Sequence, residues 1–132
     1  MHVPPGFSVV TPYIFVTDAE GYVDFLCRAF GGEERGRSLR PDGRIANAQV
    51  AFESATVMIS EAQADFPGGR SAFYFFVADA AAAMRRAMDA GAEKIMDIAD
   101  MPYGDRQGGV RDPAGNVWWI SQRLSDEPYF ED

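Results

Sequence analysis

Phe15-Val-Thr-Asp-Ala19 and Phe76-Val-Ala-Asp-Ala80 are near copies of each other, 61 positions apart. Each sits at the same kind of junction. Thr11-Pro-Tyr-Ile-Phe-Val-Thr17 and Ala72-Phe-Tyr-Phe-Phe-Val-Ala78 are rich in β-branched and aromatic residues, which predicts strands. Asp18 and Asp79 then stand where a helix N-cap is needed. Tyr22, Phe25, Leu26, Ala29 and Phe30 follow the first at helical spacing, and Met84, Ala87 and Met88 follow the second. Gly31-Gly32 and Gly91 close the two helices, and Gly31-Gly-Glu33 matches Gly91-Ala-Glu93. A repeat of this period marks a duplicated structural unit.

Each half continues in the same way. In the first, Glu33 to Arg40 predicts a strand ending at the Pro41-Asp42-Gly43 turn. Arg44 to Phe52 and Ala55 to Ser60 then read as strands around Glu53-Ser54. In the second, Lys94 to Ile98 fills the place of the earlier strand. Gln107 to Arg111 and Asn116 to Gln122 flank the Asp112-Pro-Ala-Gly115 turn. Met58-Ile-Ser60 lies opposite Trp119-Ile-Ser121. Each half is β-α-β-β-β, so the fold class is α+β. The expected boundaries are module 8–61, linker 62–70, module 71–124 and a C-terminal tail 125–132. That tail reads as a free end or as an arm packing on a partner.

Composition narrows the chemistry. The 132 residues suit one domain with a core of its own. There is one cysteine, Cys27, so no disulfide forms within the chain. Its place beside Leu26 reads as a small buried apolar residue, not a nucleophile. There is one histidine, His2, at a terminus, which excludes a zinc site built on two His or Cys ligands from one chain and leaves a poor candidate for a Ser–His–Asp triad. Metal chemistry would rest on carboxylates, amides and carbonyls, or on groups from another chain. The net charge of −8 argues against nucleic acid and suits a cationic ligand. No apolar run reaches membrane-spanning length. Met1 to Gly6 has neither the basic nor the apolar part of a signal peptide, so a cytoplasmic location is expected.

Two paired β-α-β-β-β modules resemble the vicinal oxygen chelate superfamily, the group of glyoxalases, bleomycin-resistance proteins and extradiol dioxygenases. Met101-Pro-Tyr-Gly-Asp-Arg-Gln-Gly-Gly-Val-Arg-Asp-Pro-Ala-Gly-Asn-Val-Trp-Trp119 resembles the last hairpin of that family. Thr11-Pro-Tyr13 followed by Val23-Asp-Phe-Leu-Cys-Arg-Ala-Phe-Gly-Gly32 resembles its phosphonate-operon-associated, glyoxalase-like branch. The resemblance covers Val9 to Leu124. It implies a cupped, mostly antiparallel mixed sheet with helices on the outer face, a homodimer, and a metal held in the cup of active members. The positions that match the family's metal ligands are Thr11, Met58 or Ser60, Ala72 and Trp119. None is a usual ligand, so no metal and no other cofactor is expected.

Strand alternation then sorts the cup's lining. Pro12, Ile14 and Val16 take the helix side, as does Trp118. Tyr13, Phe15, Asn47, Gln49, Met58, Tyr74, Phe76, Trp119 and Ser121 take the cup side, with Tyr103 and Arg106 closing a rim. Aromatic surface with a few amides and hydroxyls suits a small-molecule pocket, and Arg106 is placed to meet an anionic group. Asp105-Arg106 also reads as a turn ion pair. The favoured reading is a metal-independent protein that holds an aromatic or amphipathic molecule without turnover. Two rivals stand beside it: a metal-dependent lyase, isomerase or dioxygenase of the same superfamily, and a non-catalytic scaffold whose cup is filled. For an enzyme, the conceivable acid–base groups are Tyr13, Tyr74 and Glu53.

Overall fold

The computed structural model describes residues 2–131 and divides into two compact units, one ending at Gly69 and the other starting at Arg70. In the first unit the elements run β1 (Tyr13–Val16), α1 (Ala19–Phe30), β2 (Glu33–Leu39), β3 (Ile45–Phe52) and β4 (Ala55–Glu61). In the second they run β5 (Ala72–Phe76), α2 (Ala80–Asp89), β6 (Glu93–Asp100), β7 (Asp105–Arg111) and β8 (Val117–Arg123). Each unit forms its own four-stranded mixed sheet, ordered β1-β4-β3-β2 and β5-β8-β7-β6. The first strand of each unit pairs parallel with the last, and the other pairings are antiparallel. The α+β class and the β-α-β-β-β order of both halves are thus present.

Several boundaries moved, each for a local reason. The first strand keeps only Tyr13–Val16, because the aspartate cap takes over directly after it. The strand expected over Lys94 to Ile98 extends over Glu93–Asp100, held by its ladder to β7. The last hairpin opens at Asp105, not Gln107, so Arg106 lies within β7 and not in a rim loop. Helix α2 closes at Ala90, with Gly91 one residue beyond at φ 113°.

The helices start where their aspartates stand. Asp18 accepts from the Gly21 N–H at 3.1 Å and Asp79 from the Ala82 N–H at 3.0 Å. A second, long-range cap accompanies each. Glu61 accepts from the Asp18 and Ala19 N–H groups at 2.9 and 2.8 Å. Gln122, 61 positions on from Glu61, accepts from the Ala80 N–H at 3.1 Å. The last strand of each module therefore supplies acceptors for the helix's otherwise unpaired donors.

One face of each sheet is core. Ile14, Val16, Ala48, Val50, Ile59, Tyr22, Phe25 and Leu26 are buried in the first unit. Met84, Ala87, Val110, Trp118 and Ile120 are buried in the second. Trp118 packs on Phe73 and Phe75, with centroids 4.5 and 5.8 Å away. Its indole N–H donates to Asp112 at 2.9 Å, which satisfies a buried polar group. Cys27 in α1 is half-buried, and burial pushes its thiol up. Consecutive glycines serve opposite faces of the second sheet. A Cβ on Gly108 would meet the Met84 sulfur of α2 at 2.9 Å, and one on Gly109 would meet the Trp119 ring at 2.6 Å. The first lets helix and sheet approach closely, and the second lets an indole lie flat on the sheet's other side.

Candidate functional site

The face of each sheet away from its helix carries the strand residues singled out above, with the exception of Arg106. In the first unit, Tyr13 pairs with Met58, which pairs with Gln49, so the three form one row. Phe15 pairs with Ser60 in the next row. Tyr13 stacks on Phe15 with centroids 4.9 Å apart, and Phe15 stacks on Phe66 at 5.5 Å. Phe66 comes from the expected linker, where a Gln63–Phe66 bridge folds the chain back. No local pattern announces that contact. The Gln49 amide donates to Asn47 at 3.3 Å. A cavity of about 460 Å³ lies between the N-terminal segment and Thr11, Gln49 and Met58.

In the second unit, Tyr74 pairs with Trp119, which lies against Gly109, and Phe76 pairs with Ser121, which faces Gln107. Tyr74 and Phe76 are 45% and 55% exposed, so these two rings are not core. Trp119 is half-buried. Beneath the aromatics runs a hydrogen-bonded strip. The Tyr103 hydroxyl donates to Gln107, whose amide donates to the buried Ser121 hydroxyl at 2.7 Å. The Tyr74 hydroxyl donates to Asp105 at 2.5 Å.

Asp105 is the hub of this strip and is fully buried. Its Oδ2 accepts from Tyr74 and, at 2.6 Å, from the Tyr129 hydroxyl of the C-terminal tail. Its Oδ1 accepts from Arg123 at 3.0 Å. Burial pushes the Asp105 carboxyl up, but the bonds from Tyr129, Tyr74 and Arg123 outweigh it and hold it below the usual carboxylate range. Burial, then the bond to Asp105, push the Tyr74 phenol well above its usual range. The expected Asp105–Arg106 turn pair is therefore not formed. Asp105 pairs with Arg123, and Arg106 pairs with Asp100 at 2.8 Å.

Arg106 also differs from its expected placement in another way. Asp105, Gln107 and Gly109 point to the aromatic side of β7. Arg106 takes the helix side by alternation, with Gly108 and Val110. It stands apart from Tyr74, Phe76, Trp119, Ser121 and Tyr103, which the structure brings together. Gln107, Arg123 and Tyr129 join that group without having been singled out, and Asp105, read only as half of a turn pair, joins it as well. The signal available for them was parity: Asp105 and Gln107 alternate with Gly109 on a strand recognised only from Gln107 onward.

A metal does not fit these residues. The Thr11 hydroxyl donates to the Ser8 carbonyl, Ser60 accepts from Arg40, and Ala72 has no side-chain donor. Trp119 is packed on Gly109, and Asp105 is spent on three donors. Among the described residues, no three His, Cys, Asp or Glu side chains gather in a way that would hold an ion.

Comparison with known proteins places this geometry. The family profile described as the glyoxalase/bleomycin resistance protein/dioxygenase superfamily matches residues 7–120. The chain belongs to that superfamily. The match is to the superfamily as a whole and does not select its phosphonate-operon-associated branch. An uncharacterised protein of Mycobacterium tuberculosis is 32% identical, over 96% of this chain and 79% of its own length. Among solved proteins of similar structure, TioX from Micromonospora sp. ML1 has a TM-score of 0.75 at 26% identity, covering 89% of this chain and 99% of TioX. TnmS3 from Streptomyces sp. CB03234, described as an antibiotic binding protein, has a TM-score of 0.68 at 22% identity, covering 93% of this chain and 98% of TnmS3. No described helix here is long and apolar enough to cross a membrane.

Proposed function

We propose that the chain holds an aromatic or amphipathic small molecule on the open face of its second module, without a resident metal and without turnover. The observation that carries this reading is the surface of exposed Tyr74 and Phe76 with half-buried Trp119, laid over a hydrogen-bonded strip of Gln107, Ser121 and Asp105. An apolar platform with a few fixed polar groups is what orients a planar ligand. The filled-cup scaffold needs these aromatics buried, and about half of Tyr13, Tyr74 and Phe76 is exposed. The antibiotic-binding description of TnmS3 supports the same reading by analogy of fold. The net charge of −8 steers cations at long range, but Asp105 already has Arg123, so the site itself asks for a neutral ring system.

Two measurements test this. Elemental analysis after exposure to Ni, Zn, Mn or Fe and desalting should find near-zero metal per chain, and about one metal per chain would overturn the reading. A panel of planar aromatic compounds should raise the melting temperature and change Trp119 fluorescence in the Trp118→Phe protein, where Trp119 is the sole tryptophan. Turnover of a hemithioacetal or a catechol would favour the enzyme instead.

A further inference from the structure

The polar end of the open face already holds a ring, and it belongs to the chain itself. Tyr129 lies over the Arg123 guanidinium, 4.1 Å from carbon to ring centroid, and its hydroxyl donates to Asp105 Oδ2 at 2.6 Å. This corner is built, not adventitious. Asp105 is fully buried, and Arg123 is fixed from three sides. It bonds Asp105 at 3.0 Å, the Tyr103 carbonyl at 2.6 Å and the Glu127 carbonyl at 2.9 Å. A carboxylate to take an O–H, beside a flat cation to stack the ring, is the chemistry that recognises a phenol.

The occupant is weakly held. Every residue from Leu124 to Glu131 is exposed, and Phe130 is 87% exposed. The tail therefore buries little apolar area, and few contacts beyond those of Arg123 and Tyr129 keep it in place. A tethered ring of this kind competes as a ligand at an effective concentration of about a millimolar. A free ligand offering the same phenol, with more ring to lay on Tyr74 and Trp119, displaces it by mass action.

We propose that the Asp105–Arg123 corner is a phenol-binding subsite, self-occupied by Tyr129 in the free protein, and that the ligand carries a hydroxyaryl ring which takes Tyr129's place. The inference rests on the binding reading above and names the ligand class of that same face. The test compares naphthol with methylnaphthalene at neutral pH, on the unaltered chain and on Tyr129→Ala and Tyr129→Phe chains. Tyr129 is at the surface, so a single cooperative melting transition, lowered by no more than the lost tail contact explains, confirms that each variant folds.

Naphthol should bind Tyr129→Ala about tenfold more tightly than the natural chain, as expected for a hydrogen bond to a charged group freed from competition. Methylnaphthalene should change less than about twofold, since it cannot use Asp105. Tyr129→Phe should fall between, having lost the competing hydroxyl but kept the ring. Equal gains for both probes, or no gain for naphthol, would overturn the subsite while leaving the binding reading intact. Failure of both probes to bind any of the three chains would remove both.

Discussion

Asp105 shows how one side chain can set the character of a site. It is buried with three donors converging on it, so removing it strands Arg123 and two phenols. Asp105→Ala should cost about 3 kcal/mol, a fall of roughly 10 °C in melting temperature for a chain this size. Its carboxyl is held below the usual range, so its stabilisation is present above the unfolded value of about 3.9 and is lost as pH falls through the folded one. Denaturant unfolding across that acid range should show a steeper loss for the natural chain than for Asp105→Asn. Tyr74 has the opposite sense. Its phenol is raised, so its contribution is present below about pH 10 and lost as pH climbs through the folded value. Ultraviolet titration should show a late-ionising tyrosine that Tyr74→Phe abolishes. None of this was legible from neighbouring residues, because the partners of Asp105 lie 31, 18 and 24 positions away.

At the scale of elements, the repeat was readable because its signals are local. A cap aspartate, a helical stripe and a turn glycine each act within a few residues. The strand ends were less readable, since ladder bonds from a neighbouring strand decide them, as β6 shows by running on to Asp100. The two modules differ most instructively where Gln49 and Gly109 occupy matching rows, opposite Met58 and Trp119. The glycine gives the indole its seat. Gly109→Ala places a methyl 2.6 Å from the Trp119 ring, and it should cost about 1–3 kcal/mol. The Trp119 emission of the Trp118→Phe protein should shift as the ring lifts, and an unchanged spectrum with unchanged stability would contradict the packing described. Glu61 and Gln122 show the limit of local reading: each caps a helix that begins 42 positions earlier, and only the folded sheet brings it there.

For the molecule as a whole, aromatic surface is the main feature left to explain. Tyr13, Phe66, Tyr74, Phe76 and Phe130 are all exposed among the described residues. Exposed apolar surface of this kind marks sites of binding or association. We propose that part of this surface is covered in a homodimer, as the family resemblance implies, and sedimentation at micromolar concentration should then give twice the 14.5 kDa chain mass. A mass of one chain at all concentrations would leave small-molecule binding as the reason for that surface.

The sequence by itself determined the duplicated β-α-β-β-β plan, the helix-facing and open faces of the strands, and a stock of one histidine and one cysteine. These follow from periodicity and residue type, which are properties of the chain before it folds. Tertiary structure alone decided that Phe66 folds back on Phe15, that Arg106 turns to the helix side, and that Tyr129 returns to Asp105. Those outcomes depend on strand register and on contacts between residues far apart in the chain, which no local pattern encodes.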